Sequence, residues 1–247
     1  MRTYGLIGFP LTHSFSRQYF TEKIEKEAVA DAVFHSFPLN SINEFPALLA
    51  DHPSLKGLAV TIPYKEQVLR YLTHLSPEAT VIGAVNCIRI SNGTLTGYNT
   101  DIIGFERSFV KKAGPAHKKA LVLGTGGASK AVQYVLQKLG IDFLVVSRNE
   151  TGAENAIRYQ QINEAIMQEY SIIINSTPLG MSPDEDTCPD IPYHLITPTH
   201  YLYDLVYKPA KTLFLQKGEE QGAAIENGYE MLIIQADENW RIWNGEA

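Results

Sequence analysis

The residues of this chain that could do chemistry sit in two settings. One is the run Gly124-Thr125-Gly126-Gly127-Ala128, fed by the apolar stretch Leu121-Val122-Leu123. Beyond it Ala128, Ala131, Val132, Val135, Leu136 and Leu139 recur at the three-and-four spacing of one helix face. A turn this tight between strand and helix needs residues without side chains, and the amides at the helix start form an anion site suited to a pyrophosphate. The third position of the dinucleotide fingerprint is Ser129 rather than glycine or alanine, so a plain connector stays open as the alternative. The other setting is the carboxyl ends of strands in the first hundred residues, where open α/β sheets bind ligands. Ser14 and Ser16 follow the first strand, Thr61 and Lys65 the third, and Asn86 and Asp101 bracket a hairpin. By position alone Lys65 reads as a solvated charge and Asp101 as the N-cap of the next helix.

The elements that must position these residues alternate. Residues 3–8, 33–37 and 57–62 read as strands, 16–29 and 42–50 as helices, with a helix after Lys65 to about Leu72 and a short one from Pro77. Asn92-Gly93 between two extended runs, 84–90 and 94–98, is a strong hairpin signal. A helix over 102–113 leads to the glycine turn. The pattern predicts a mostly parallel, doubly covered sheet in the first half and a second strand-helix series behind the glycines. There the spacing predicts strands over 142–147, 172–175, 201–206 and 223–226 and a helix over 212–220. Residues 152–170 are compressed, with room for a helix and at most a degenerate strand, and 182–198 form a long loop. In the last helix Leu232, Ala236, Trp240 and Trp243 share one face, leaving Met231 and Gln235 off the stripe.

The residue closing the strand at 142–147 discriminates between nicotinamide cofactors. An acidic residue there would hold the ribose hydroxyls of NAD. Ser147-Arg148-Asn149 offers instead a hydroxyl, a guanidinium and an amide, which suit a 2'-phosphate because arginine makes charge-assisted bonds to phosphate oxygens. NADP is the cofactor this favours.

Composition narrows the classes. A length of 247 residues allows two modest domains, and 45% hydrophobic with 19% charged residues is ordinary for a globular protein. A net charge of -6 argues against nucleic acid as partner. Cys87 and Cys188 show no metal-ligand spacing, and no metal site is expected; two reduced thiols fit the cytoplasm. No apolar run reaches the roughly 18 residues of a membrane helix, so no membrane partner is expected.

Read together, the segments resemble shikimate dehydrogenases over essentially the whole chain. The matching pieces occur in order: Gly8-Phe-Pro-Leu-Thr-His-Ser-Phe-Ser16, Val60-Thr-Ile-Pro-Tyr-Lys65, Gly83-Ala-Val-Asn86, Gly97-Tyr-Asn-Thr-Asp101, Gly124-Thr-Gly-Gly-Ala128, Asn175-Ser-Thr-Pro-Leu-Gly-Met181, Tyr203-Asp-Leu-Val-Tyr207 and Asn227-Gly-Tyr-Glu-Met-Leu-Ile-Ile-Gln-Ala236. The resemblance implies an α/β fold of two domains: residues 1–101 with 229–247 bind substrate, residues 102–228 form a Rossmann-like NADP-binding domain, and the C-terminal helix returns to the first. It implies reversible reduction of 3-dehydroshikimate to shikimate by NADPH, with Lys65 and Asp101 as the catalytic pair. A lysine ammonium can stabilise and protonate the oxygen that hydride transfer leaves charged, and a neighbouring carboxylate can hold the lysine and accept a substrate hydroxyl.

The same resemblance puts Ser14, Ser16, Thr61, Asn86, Tyr207 and Gln235 on the substrate. It puts Gly124 to Ala128, Ser147 to Asn149, Thr177, Leu205, Gly228 and Met231 on the cofactor. Ala59 departs from the usual asparagine, which opens the question of how the neighbouring floor is held. The partner is a small molecule, and the chain is expected as a monomer or homodimer. The alternatives are an NAD-preferring quinate or shikimate dehydrogenase, and a non-catalytic sensor of the same ligands.

Overall fold

A computed structural model describes residues 1–11, 15–149 and 152–245. The chain divides into two compact units, Met1–Thr100 with Ala236–Ala247, and Asp101–Gln235.

The first unit carries β1 (Arg2–Gly8), α1 (Phe15–Lys26), β2 (Ala32–Pro38), α2 (Phe45–Asp51), β3 (Leu55–Val60), β4 (His74–Leu75), α3 (Pro77–Ile82), β5 (Cys87–Ser91) and β6 (Thr94–Tyr98). Its strands lie in the order β2-β1-β3-β5-β6-β4. β2 and β3 flank β1 in parallel, β5 runs antiparallel to both β3 and β6, and β4 pairs with β6 in parallel. β1 is buried along almost its full length, as a parallel strand covered on both faces must be. The hairpin turns at Asn92 and Gly93, both at positive φ (50° and 76°), the conformation in which a two-residue loop matches the twist of its strands.

Several helices differ from expectation: the one expected over 42–50 splits into a 3-10 turn, Ile42–Glu44, and α2, and the one expected over 102–113 ends at Phe109. α1 stops at Lys26, because Ala28 takes a positive φ of 53°; the apolar spacing runs on to Val29 since that residue still packs on the core. The segment after Lys65 forms a 3-10 helix, Gln67–Tyr71, rather than an α-helix.

The second unit carries α4 (Asp101–Phe109), β7 (Lys119–Leu123), α5 (Gly127–Lys138), β8 (Asp142–Ser147), β9 (Ala156–Arg158), α6 (Glu164–Glu169), β10 (Ile172–Asn175), β11 (Tyr201–Asp204), α7 (Leu213–Glu220) and β12 (Ala224–Glu226). All strands are parallel in the order β12-β11-β10-β7-β8-β9. Chain order reverses between β7 and β10, so the carboxyl ends of those two strands form the switch point at which such sheets take ligands. The compressed stretch after Gly152 holds both a three-residue strand, β9, and a six-residue helix, α6.

α8 (Tyr229–Trp243) contributes its first turns to the second unit and the rest to the first. Two apolar faces follow from that. Trp243 packs in the first unit against Tyr4, with rings stacked at 5.3 Å, and against Phe20 at 5.0 Å. Met231 joins the second unit's cluster with Phe105 and Tyr203. The single stripe predicted from spacing accounts for the first contact and misses the second.

Candidate active site

In the first unit, backbone hydrogen bonds draw three of the expected polar residues to one end of the sheet. The Lys65 carbonyl accepts the Val85 amide at 2.8 Å, and the Asn86 carbonyl accepts the Val60 amide at 2.8 Å. The Thr61 amide donates to the Ile7 carbonyl at 2.9 Å and the Thr61 carbonyl accepts the Tyr64 amide at 2.9 Å, which turns the chain out of β3 and toward Lys65. Gly8 makes room for this turn: a Cβ there would lie 2.4 Å from Thr61 Cγ2. Lys65 is half-buried. Asn86 is buried, its Oδ1 accepting the Thr100 amide at 2.7 Å and its Nδ2 donating to Thr100 Oγ1 at 3.0 Å. Thr100 Oγ1 in turn donates to Asn239 Oδ1 of α8 at 2.7 Å. Ala59 is buried within the cluster that includes Tyr4, Cys87 and Trp243, so the position is filled by apolar packing. Ser16 is the second residue of α1 and half-buried; Ser14 lies outside the described residues.

In the second unit, Gly124 follows β7 with φ of 111°, and a Cβ there would lie 2.9 Å from Ser176 Oγ and 3.0 Å from Thr177 Cγ2. The glycine is therefore required both by its backbone and by the loop after β10. Gly126 caps α5 without any side-chain hydrogen bond, and a Cβ on it would meet none of the described residues within 4 Å. Thr125 is exposed, while Gly127 and Ala128 open the helix half-buried. The amides of this first turn, the open space over Gly126 and the close approach of Ser176 and Thr177 fit a pyrophosphate. Ser129, the departure from the fingerprint, is buried, and its Oγ donates to the Gly124 carbonyl at 2.7 Å. The serine thus closes the turn with a bond that glycine or alanine could not make.

Arg148 and Asn149 are exposed just past β8, and the Ser147 hydroxyl donates to the Asn149 carbonyl, which folds the segment back on itself. An exposed guanidinium at this position fits a 2'-phosphate. Thr177, Leu205 and Gly228 lie on neighbouring loops. The Leu205 amide donates to the Asn175 carbonyl at 2.9 Å, and a Cβ on Gly228 would lie 2.1 Å from the Leu205 carbonyl oxygen. Tyr207, with Lys208, Ala210, Asn227 and Tyr229, lines a cavity of about 540 Å3. Burial pushes the Tyr207 hydroxyl above its ordinary pKa, which keeps it a neutral donor. Asp101 opens α4 and is buried. Three residues along, a Cβ on Gly104 would lie 2.5 Å from the Met231 carbonyl oxygen and 3.2 Å from Gln235 Cβ. Met231 is buried against the cluster of Phe105 and Tyr203, and Gln235 is buried with its Nε2 donating to the Leu232 carbonyl at 2.9 Å.

Residues 6–88 match the model of the shikimate dehydrogenase substrate-binding domain. The NADP(+) shikimate dehydrogenase of Methanococcus maripaludis is 36% identical over 98% of this chain and 91% of the relative. The chain belongs to the shikimate dehydrogenase family. The crystal structure of the Aquifex aeolicus shikimate dehydrogenase matches with a TM-score of 0.89 at 33% identity, covering 99% of this chain and 93% of that one. The Thermus thermophilus enzyme in complex with NADP(H) and shikimate matches with a TM-score of 0.88 at 29% identity, covering 99% and 94%. Family membership accounts for the two α/β units and the Rossmann-like second sheet.

Sequence reasoning passed over a group of buried polar residues in the second unit. Asn175, Asp204 and Thr212 are each 0% exposed. Burial pushes the Asp204 carboxyl up to about 7, against hydrogen bonds from Thr212, Val206 and Asn175 that pull the other way. The available signal was a carboxylate at the end of an otherwise apolar parallel strand, Tyr201-Leu-Tyr-Asp204.

Proposed function

We propose that this chain reduces the ring ketone of 3-dehydroshikimate to shikimate, reversibly, with NADPH, and that Lys65 and Asp101 carry the proton chemistry. The observation that carries this reading is the pair of backbone bonds at the end of β3 and β5, which gather one cation, Lys65, with the neutral groups of Thr61 and Asn86. Such a set suits a small polyhydroxylated acid: neutral donors read hydroxyls, and the ammonium faces the oxygen that becomes charged. Lys65 donates a proton to that oxygen in reduction and, as a free amine, accepts it in the reverse direction. Asp101 accepts a ring hydroxyl and fixes the ring's orientation. Ser14, Ser16 and Tyr207 bind the substrate carboxylate as neutral donors, each bond contributing about 0.5–1.5 kcal/mol, so that selection comes from several acting together. Thr61, Asn86 and Gln235 take the remaining hydroxyls.

Gly124 to Ala128 hold the pyrophosphate on the α5 amides, Ser147 to Asn149 the 2'-phosphate, and Thr177, Leu205, Gly228 and Met231 the nicotinamide end. When bound, NADPH supplies the hydride. The domain roles follow: residues 1–101 with 229–247 for substrate, 102–228 for cofactor. Free Cys87 and Cys188 support a reducing compartment, the cytoplasm.

The test is the growth of the NADPH absorbance band on mixing the protein with NADP and shikimate, against parallel mixtures with NAD and with quinate. The reading requires NADP and shikimate to be the best pair. A preference for NAD and quinate, or no band with any pair, would overturn it.

A further inference from the structure

Three segments assigned to the cofactor meet on one buried pair of side chains that no step above uses. Asn175 closes β10 and Asp204 closes β11, and the two are directly opposite in register. Asn175 Nδ2 donates to Asp204 Oδ1 at 2.9 Å and to the Leu179 carbonyl at 3.3 Å. Asn175 Oδ1 accepts the Thr177 amide at 3.1 Å and the Thr177 hydroxyl at 2.6 Å. Asp204 Oδ1 also accepts the Val206 amide at 3.0 Å, and its Oδ2 faces Thr212 Oγ1 at 2.5 Å. Thr212 itself abuts the end of the same turn, since a Cβ on Gly180 would lie 3.3 Å from Thr212 Cβ. The backbone repeats the pattern: the Asn175 carbonyl accepts the Leu205 amide at 2.9 Å, and the Val206 carbonyl accepts the Gly228 amide at 3.1 Å.

Every hydrogen-bonding capacity of the Asn175 amide is thus used on the Thr177–Leu179 turn or on Asp204. An amide side chain with a flat, two-fold torsion can be set either way round. Here the carboxylate decides: Asp204 Oδ1 accepts only, so it draws Nδ2, which leaves Asn175 Oδ1 for the Thr177 hydroxyl and amide. A carboxylate that served packing alone would be better replaced by an apolar side chain of its size. Its bonds run instead into the loops after β10 and β11.

We propose that Asp204 is a positioning residue for the cofactor: it orients the Asn175 amide, through that amide sets the Thr177 turn, and through Val206 sets Leu205 and Gly228. The proposal rests on the reading of the second unit as the NADP-binding half. Asp204 Oδ1 must be a bare oxygen, because two N–H groups point at it. Oδ2 faces a hydroxyl, which accepts or donates, so an asparagine at 204 keeps the whole network with its Nδ2 donating to Thr212.

The experiment compares wild type with Asp204→Ala and Asp204→Asn, measuring the NADPH dissociation constant by fluorescence titration and the KM of shikimate by steady-state rates. Asp204→Ala strands the Asn175 amide and is expected to weaken NADPH about tenfold, the loss of one buried hydrogen bond, while the shikimate KM stays within about twofold. Asp204→Asn is expected to restore NADPH binding to within about twofold of wild type. Equal weakening of both ligands by Asp204→Ala, unchanged NADPH affinity, or an Asn variant no better than the Ala variant would overturn the proposal. If Asp204→Ala does not fold, Thr212→Val carries the test, with a several-fold loss of NADPH affinity expected, recovered in Thr212→Ser; no loss in Thr212→Val overturns the proposal. Wild-type protein that binds no NADPH would sink the cofactor reading itself, a separate and visible outcome.

Discussion

Gly57 of β3 lies flat beneath the indole of Trp243: a Cβ on it would sit 2.3 Å from Cδ1 and Cγ and 2.5 Å from Nε1. The indole is 5% exposed and held between Tyr4, Phe20 and Phe34. A methyl group there cannot be absorbed by a rotamer change, because the ring is packed on its other sides. Gly57→Ala is therefore expected to lower stability by about 1–3 kcal/mol through overpacking, shifting the thermal midpoint by about 2–4 °C per kcal/mol. Both tryptophans are in α8, so their fluorescence should report the displacement directly. An unchanged midpoint and emission would refute the account of how the end of α8 is fastened.

Lys65→Ala removes the group assigned to proton transfer at the carbonyl oxygen. Turnover is expected to fall by about 10²–10⁴-fold, while NADPH affinity is kept, since Lys65 belongs to the first unit and the nucleotide loops to the second. Parallel measurement of kcat and of the NADPH dissociation constant checks both halves. Full turnover in the variant would remove Lys65 from the mechanism.

Arg148→Ala separates the two nicotinamide cofactors. The guanidinium is exposed, and in the proposed role it binds the 2'-phosphate that NADPH carries and NADH lacks, so its loss should weaken NADPH by about tenfold, one charge-assisted bond, and leave NADH nearly unaffected. Equal losses for the two cofactors would mean that Arg148 does not read the phosphate.

Parts of this site were legible in the sequence, and others were not, for identifiable reasons. β8 and β10 coincide with apolar runs bounded by polar residues; β10 is buried throughout and β8 over its last three residues. β3 ends at Val60, two residues short of the apolar run, because Thr61 turns toward Lys65 and Ile62 is left 65% exposed. Ser129 was visible as a departure from the fingerprint, but its compensation, a bond to a carbonyl five residues back, exists only in the folded turn. Asp204 was hidden more deeply. Its side-chain partners lie 29 and 8 residues away in the chain, and the one local signal, a carboxylate closing an apolar strand, does not name them.

The raised pKa of Asp204, about 7 against 3.8, makes a prediction about pH and stability. Below about pH 4 the carboxyl is protonated in both folded and unfolded chains and costs nothing. Between about 4 and 7 the unfolded chain releases the proton that the folded protein retains. The unfolded state binds fewer protons in that window, so this group's contribution to stability falls as pH rises, by up to about 1.4 kcal/mol per pH unit. Above about 7 both states are ionised and the penalty stays constant. Its cause is burial, opposed only by the neutral donors of Asn175, Val206 and Thr212. Asp204→Asn mimics the protonated form and has no such slope. The difference in unfolding free energy, wild type minus variant, should therefore decline from pH 5 to 7 and then level off. Urea unfolding at pH 5, 6, 7 and 8 measures it; a difference that is flat across the series, or that rises with pH, would show that the carboxyl titrates near its ordinary value.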